Sequence, residues 1–259
     1  MALSTRAGWV AIAAVGAALV AAGAAARIPS FWSDGATYHG MAWSLAADGD
    51  LQYEARDVFR TRREFPTGPQ GIFLKRASGG WELVPRFPWL RRVAKDEPRI
   101  YYAKAFAYPV AAAPFVKLFG TRGLLLANAA FLAGALALAY AELVRRTAPA
   151  RALAVALALF LATVTPVYLF WPQPEVFNLF LITAGLVAWR RQRPLAAAVL
   201  LGIATYSKPY NLWLALPLGV EPLLVARAEL RRGFRESLRR GAVLAGTVVA
   251  LFGLNKVVT

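Results

Sequence analysis

The chain has 259 residues, of which 58% are hydrophobic, and its formal net charge is +16. A mean hydropathy of +0.47 is too high for an ordinary soluble domain and predicts an all-α polytopic membrane protein. The lack of cysteine excludes disulfides and thiolate metal sites, and the single histidine, His39, excludes a histidine-cluster metal site. The positive charges cluster between apolar runs, which is typical of loops that flank membrane spans rather than of a nucleic-acid-binding patch.

The first predicted membrane span lies at about residues 9–26, where an apolar run is long enough to cross a bilayer. The short basic flank before it and the alanines at its end would also fit a signal peptide with its cleavage site. The length of the apolar run favours an uncleaved anchor. We therefore expect this segment to be the first of about seven transmembrane helices.

Residues 27–100 are polar and mixed in composition, and we expect them to form a structured outer loop. Apolar side chains at helical spacing predict an amphipathic helix over residues 36–47 near the membrane surface, and Asp48-Gly49-Asp50 predicts its end. The segments 71–76 and 81–86, joined by a Ser-Gly-Gly turn, predict a small β-hairpin.

A shorter apolar segment at residues 108–119 contains Pro109 and Pro114, which predicts a helix that lies at the membrane surface or inserts only partly. Six further spans are predicted after the first, at about residues 124–144, 152–170, 175–189, 195–206, 210–225 and 242–254. The total number of spans is seven, with six as the alternative, and the fifth and sixth spans are also compatible with a tight re-entrant pair around Ser207-Lys208-Pro209.

Arginines are unevenly distributed over the connections between the predicted spans. Clusters follow the second, fourth and sixth spans, whereas the connection at residues 171–174 has no basic residue. Basic residues in short connections mark the cytoplasmic side, so we expect the N-terminus inside and the loop of residues 27–100 outside. The high alanine and arginine content favours a bacterial source, which would place the protein in the bacterial cytoplasmic (inner) membrane as a multi-pass protein.

That orientation places four ionisable side chains, Asp34, Lys104, Glu175 and Lys208, at the outer face. Asp34 follows the first span, and Lys104 precedes the short proline-containing helix. Glu175 begins the fourth span, and Lys208 lies at the outer end of the fifth. Ionisable groups at membrane depth are costly, so a functional site is the default hypothesis for them. The structural alternatives are that Asp34 caps the helix after it and that the others are interfacial side chains.

The motifs around these residues, taken in order, resemble those of the GT-C superfamily of polyprenyl-phosphate-dependent glycosyltransferases. This group includes protein O-mannosyltransferases and lipid A aminoarabinose transferases. The resemblance covers nearly the whole chain. It rests on an acidic residue after the first span followed by Tyr38 and Asp48-Gly49-Asp50, and then on Tyr102-Ala103-Lys104, Pro174-Glu175 and Ser207-Lys208-Pro209.

The resemblance implies that residues 1–259 are one GT-C-like transmembrane module, with residues 27–100 as its first outer loop. It also implies an inverting transfer of a sugar from a polyprenyl-phosphate donor to an acceptor at the outer face. Asp34 corresponds to the acid that is the proposed catalytic base of the family, and Lys104 corresponds to a lysine associated with the donor phosphate. The other expected substrate-binding residues are Glu175, Lys208, Tyr38 and Asp50.

Two features depart from the family pattern. The first loop of family members often carries an adjacent acidic pair, whereas here Asp34 is followed by Gly35. Members also usually continue beyond seven spans into further spans or an outer domain. The resemblance therefore implies that this sequence is a truncated or minimal core, which would need an acceptor-binding part to be active.

The residue types suit this chemistry. A sugar linked to a polyprenyl phosphate already carries a good leaving group, so one carboxylate base suffices and no general acid is required. Ammonium groups nearby would offset the charge that develops on the phosphate. The expected partners are the lipid-linked donor, membrane lipids and an unknown acceptor, without nucleic acid. No cofactor is expected, and a divalent metal stays open.

Two other functions fit a polytopic membrane protein. A transporter of lipids or small molecules would bind near the bilayer midplane and often shows inverted repeats. No convincing internal repeat is found here, and the ionisable residues cluster at one face. A non-catalytic scaffold whose outer loop binds a partner would explain the large loop, but it would not explain Glu175 or Lys208.

Overall fold

The computed structural model describes residues 3–26, 30–77, 80–83, 90–93, 98–225 and 230–258. The described chain is mostly helical (76%), which confirms the predicted predominance of helix. Two short antiparallel strand pairs lie between the third and fourth helices. The α-helices are α1 (Thr5–Ala25), α2 (Ser33–Ala47), α3 (Ala55–Glu64), α4 (Ala107–Phe119), α5 (Arg122–Leu143), α6 (Pro149–Leu161), α7 (Glu175–Arg190), α8 (Pro194–Ser207), α9 (Leu212–Val225) and α10 (Leu230–Val258).

The chain divides into two compact units. The first, here called the α6–α9 unit, consists of Met1–Leu19, Ala130–Pro166 and Pro174–Leu251. The second, here called the α2–α4 unit, consists of Val20–Ala129, Val167–Gln173 and Phe252–Thr259.

Three helical segments of the described chain are long and apolar enough to cross a membrane: Thr5–Ala25, Arg122–Leu143 and Gly233–Lys256. They coincide with the first, second and last predicted spans. The helices at the other four predicted spans have 13 to 16 residues, fewer than the roughly 20 that a bilayer requires. The total of seven spans therefore stays a prediction.

The third predicted span, at residues 152–170, is not one continuous helix. Helix α6 ends at Leu161, and the chain continues through a bend into a 3₁₀ turn at Thr165–Leu169. Pro166 lies in the first turn of this 3₁₀ segment, where a residue without an amide N–H is tolerated. Proline also sets the starts of α6 and α8, which begin at Pro149 and Pro194.

Helix α2 confirms the predicted helix at residues 36–47 and begins three residues earlier, at Ser33. The expectation of an amphipathic helix was wrong, because most of its residues are buried on all sides of the helix. Helix α2 packs against α4, and its Gly40 lies against the ring of Tyr102, where a Cβ atom would come within 2.5 Å of the hydroxyl oxygen. The small residues of α2 thus permit close packing that hydrophobic spacing alone did not indicate.

A small β-hairpin is present in this region, as predicted, but the predicted pairing of residues 71–76 with residues 81–86 was wrong. Strand β1 (Leu74–Ala77) pairs in antiparallel register with β4 (Arg99–Tyr102), so that Leu74 lies opposite Tyr102. Strand β2 (Gly80–Leu83) pairs with β3 (Leu90–Val93). Parts of the predicted segments, at residues 78–79 and 84–86, lie outside the described residues. The β1–β4 pairing matters for the site because it leads the chain directly to Lys104.

Candidate functional site

Asp34 and Lys104 form an ion pair in the α2–α4 unit. The Lys104 Nζ lies 2.8 Å from the Asp34 Oδ1, and the two side chains are 24% and 25% exposed. Lys104 also lies over the ring of Phe73, with its Nζ 3.9 Å from the ring centroid, a distance typical of a cation–π contact. The pair is thus partly shielded from water yet open to a ligand.

Two hydrogen bonds of the Phe73 backbone support this pair. The Phe73 N–H donates to the Thr37 Oγ1 of α2 at 3.0 Å, and the Ala103 N–H donates to the Phe73 carbonyl at 2.9 Å. The chain leaving β4 is therefore tied through Phe73 to the Thr37 side chain of α2. These bonds hold the backbone next to Lys104 close to the start of α2, so the fold itself brings Lys104 beside Asp34.

Asp34 is not the N-cap of α2. The N-cap position is Trp32, which makes no side-chain capping bond, and Asp34 lies within the first turn. A carboxylate in the first helical turn interacts favourably with the positive end of the helix dipole. Directly before it, Ser33 has a φ of 53°, in the left-handed region that a non-glycine residue seldom occupies. Local strain of this kind, next to a partly exposed carboxylate, is common at functional sites.

Tyr38 and Asp50, the two remaining candidates in this unit, have extensive structural contacts. Tyr38 is 2% exposed and packs edge to face against Tyr108, with ring centroids 5.6 Å apart. The Asp50 Oδ1 accepts hydrogen bonds from the Ser44 hydroxyl at 2.9 Å and from the Gln52 N–H at 3.1 Å. These contacts tie the end of α2 to the chain that follows it.

Asp50 belongs to a charge network that sequence reasoning missed. Its Oδ2 accepts from the Arg56 guanidinium at 2.9 Å, and Arg60 bridges Asp48 and Asp57 at 2.8 and 3.0 Å. Burial raises the pKa of the Asp57 carboxyl above its ordinary value, against the effects of a backbone hydrogen bond and of Arg60. The i, i+3 spacing of the opposite charges of Asp57 and Arg60 in Ala55–Glu64 was the signal that could have revealed this helix.

A cavity of about 380 Å³ opens beside this network. Its lining is mainly apolar, with Asp50 and Arg99 as the charged groups, and Leu45, Tyr101 and Phe106 among the apolar ones. Pockets of this size, mostly apolar with a few polar groups, are typical of small-molecule and lipid sites. Asp50 is therefore placed where a bound ligand could reach it.

Glu175 and Lys208 form a second ion pair, in the α6–α9 unit. The Lys208 Nζ lies 3.2 Å from the Glu175 Oε1, and the side chains are 23% and 22% exposed. Glu175 is the first residue of α7, and Lys208 directly follows the last residue of α8. Helices α7 and α8 pack closely, with Gly185 of α7 against the Leu201 side chain.

A buried amide network lies beneath this second pair. The Asn178 Nδ2 donates to the Ser207 Oγ at 3.1 Å and to the Pro174 carbonyl at 2.8 Å. The Asn211 Nδ2 donates to the Asn178 Oδ1 at 3.3 Å and to the Ala204 carbonyl at 2.9 Å. These bonds join the start of α7 to the end of α8 and so set the positions of Glu175 and Lys208.

The single histidine has a structural position. His39 is 3% exposed, and its Nε2 lies 2.9 Å from the Thr121 Oγ1. Burial, and secondarily the charge of Arg60, lower the pKa of His39 to about 3, so the imidazole is neutral at physiological pH. Among the residues that the structure describes, no group of three or more His, Cys, Asp or Glu side chains could hold a metal ion.

The four ionisable residues singled out in the sequence thus form two acid–lysine pairs, one in each unit. Each pair joins two residues of one unit that are far apart in the chain, so the fold brings these charges together. Comparisons of the chain with protein-family models, with curated proteins and with solved structures find no match.

Proposed function

We propose that this protein is a GT-C-type glycosyltransferase that moves a sugar from a polyprenyl-phosphate donor to an acceptor at the outer membrane face, with inversion. The observation that carries the proposal is the Asp34–Lys104 pair. A carboxylate and an ammonium are held 2.8 Å apart, each about a quarter exposed, and the proposed chemistry requires one group of each kind, as a base and as a phosphate partner.

The reaction follows from the donor and acceptor capacities of the two groups. An aspartate carboxylate has two oxygens, so Oδ1 can hold Lys104 while Oδ2 accepts the proton of the acceptor hydroxyl. The acceptor oxygen then forms a bond to the anomeric carbon as the bond from that carbon to the phosphate oxygen breaks. The leaving polyprenyl phosphate takes the electron pair, and the Lys104 ammonium, which has three donor hydrogens, stabilises the developing charge.

The second pair has the same composition. In the proposal, Lys208 is a substrate-binding residue of the α6–α9 unit, because an ammonium binds phosphate without fixed bidentate geometry. Glu175 is its ion-pair partner and serves substrate binding in the same unit. Asp50, on the wall of the 380 Å³ cavity, serves substrate binding in the α2–α4 unit.

The proposal includes a multi-pass protein of the bacterial inner membrane, with the N-terminus inside and residues 27–100 outside. The three helices that are long and apolar enough to cross a membrane support insertion, and the arginine distribution supports this orientation. A cysteine introduced at Ser78 should react with a membrane-impermeant maleimide in intact cells, whereas a cysteine at Ala148 should react only after permeabilisation. Reversed labelling would contradict the outward-facing site.

The activity is tested with a panel of polyprenyl-phosphate-linked sugars added to membranes that contain the protein. The proposal predicts release of polyprenyl phosphate from at least one donor and an inverted anomeric centre in the product. Asp34→Asn should lower the rate of release by roughly 10²–10⁴, and Glu236→Gln, which removes an ion-paired carboxylate of α10, should not change it. Equal release by Asp34→Asn and the wild type would reject Asp34 as the base. No release from any donor by the wild type would favour a non-catalytic transporter or scaffold.

A further inference from the structure

Three arginines of the α6–α9 unit contact one buried carboxylate. The Glu142 Oε1 lies 3.3 Å from the Arg146 Nη2 and 3.5 Å from the Arg190 Nε, and its Oε2 lies 3.5 Å from the Arg191 Nε. Glu142 is 8% exposed, whereas Arg146 and Arg190 are about half exposed. One carboxylate cannot neutralise three guanidinium groups, so this cluster keeps a surplus of two positive charges.

A polar cavity of about 270 Å³ lies against this cluster. Arg146 and Arg190 line it together with Trp189, Gln192 and Glu221. The Glu221 Oε2 already accepts hydrogen bonds from the Trp189 Nε1 at 2.6 Å and from the Arg240 Nη1 at 2.9 Å. Arg240 neutralises Glu221. Glu221 therefore does not cancel the positive charge that Arg146 and Arg190 present to the cavity.

We propose that this cavity binds a phosphate group, either the headgroup of an anionic lipid or a water-borne phosphomonoester. Guanidinium groups present several N–H donors in a fixed fork that matches phosphate oxygens. Trp189 adds an indole of the kind that is enriched at membrane–water interfaces. These arginines belong to the clusters that the sequence assigns to the cytoplasmic side, where basic pockets between membrane helices bind anionic headgroups. The site is therefore separate from the proposed transfer site on the outer face.

Two double variants of equal charge test the proposal. Arg146→Gln/Arg190→Gln removes both arginines that line the cavity, and Arg191 stays beside Glu142. Arg145→Gln/Arg193→Gln removes two exposed arginines of the same connecting segments that do not line it. The full chain is placed in nanodiscs of phosphatidylcholine with or without phosphatidylglycerol, and retained phosphatidylglycerol is counted by native mass spectrometry. A second arm titrates detergent-solubilised protein with inorganic phosphate.

The cavity variant should bind its ligand on the order of tenfold more weakly, with the control variant like the wild type, because lost hydrogen bonds to charged groups have this size. An effect in the lipid arm alone identifies a headgroup, and an effect in the phosphate arm alone identifies a water-borne ligand. Equal behaviour of the two double variants in both arms would overturn the proposal.

A third variant keeps the proposal falsifiable if the cavity variant does not fold, as judged by thermal unfolding. Glu142→Gln removes the carboxylate that competes for the guanidinium groups and leaves every arginine in place. It should therefore bind phosphatidylglycerol or phosphate more tightly than the wild type. Weaker or unchanged binding in both arms would count against a phosphate site.

Discussion

The two acid–lysine pairs have nearly the same exposure but are held in different ways. The Asp34–Lys104 pair lies where a strand end meets the first turn of a helix, and Lys104 also contacts the Phe73 ring. The Glu175–Lys208 pair lies at two helix ends that are joined by buried amide hydrogen bonds. The first pair depends on two hydrogen bonds of the Phe73 backbone and on the partly exposed Phe73 ring, and the second depends on hydrogen bonds between buried side chains.

This difference predicts how substitutions at or near each pair affect chemistry and folding. Around Asp34, the supporting bonds are made by the Phe73 backbone and the Thr37 hydroxyl, so a substitution of Asp34 or Lys104 leaves both bonds in place and should alter chemistry while leaving the fold intact. Around Glu175, the support comes from side chains, so a substitution beneath the pair should alter folding and ligand binding together. The predictions that follow separate these two cases.

Among the effects on binding and stability, the largest is expected for donor binding by the two lysines. Lys104→Ala and Lys208→Ala should each weaken the binding of a polyprenyl-phosphate donor by about 1.5–3 kcal/mol, the range for hydrogen bonds to charged groups. Binding is measured by titration of the purified protein, with Lys117→Ala, in the last turn of α4, as a control at an unrelated lysine. If neither variant changes the affinity, both pairs are structural.

The next effect concerns the core beneath the second pair. Asn178→Leu removes the hydrogen bonds that Asn178 makes with the Ser207 hydroxyl and with the Asn211 amide, and should lower the free energy of unfolding by about 1–3 kcal/mol. Thermal unfolding in detergent measures this, and Thr183→Val, which removes a hydroxyl bonded only within α7, should cost less. A change no larger than that of Thr183→Val would refute the proposed support by the amide network.

The smallest effect concerns the ring beside the first pair. Phe73→Leu removes the cation–π contact with Lys104 and should weaken donor binding by about 0.5–1 kcal/mol. Phe59→Leu changes another exposed phenylalanine of the same unit and should have no effect. Equal affinities of the two variants would show that the ring does not help to position Lys104.

Much of the helical framework could be predicted from the sequence, because long apolar runs and prolines determine where helices begin and end. The strand pairing could not, because Leu74–Ala77 pairs with a segment more than twenty residues later in the chain rather than with its neighbour. Close packing of α2 was also missed, since small residues such as Gly40 show no hydrophobic periodicity.

The candidate site was only partly predictable for a similar reason. Each of the four ionisable residues could be singled out from its place beside an apolar run, but which acid meets which lysine depends on tertiary contacts. The amide network of Asn178 and Asn211 gave no signal, because isolated asparagines in apolar segments have no distinctive pattern. For the cluster around Glu142, the sequence showed only arginine-rich connections between predicted spans. Glu142 lies in α5, whereas Arg190 lies in α7, so their contact depends on the tertiary fold.

The central claim, that Asp34 is the base of a sugar transfer, is tested most directly by single-turnover kinetics of Asp34→Asn. Donor affinity is measured in the same samples. Asparagine keeps the shape and hydrogen-bonding capacity of the side chain but cannot take up a proton at neutral pH. The account predicts a transfer rate lower by roughly 10²–10⁴, the usual contribution of a positioned base, with donor affinity and unfolding temperature nearly unchanged. A rate equal to that of the wild type would contradict it.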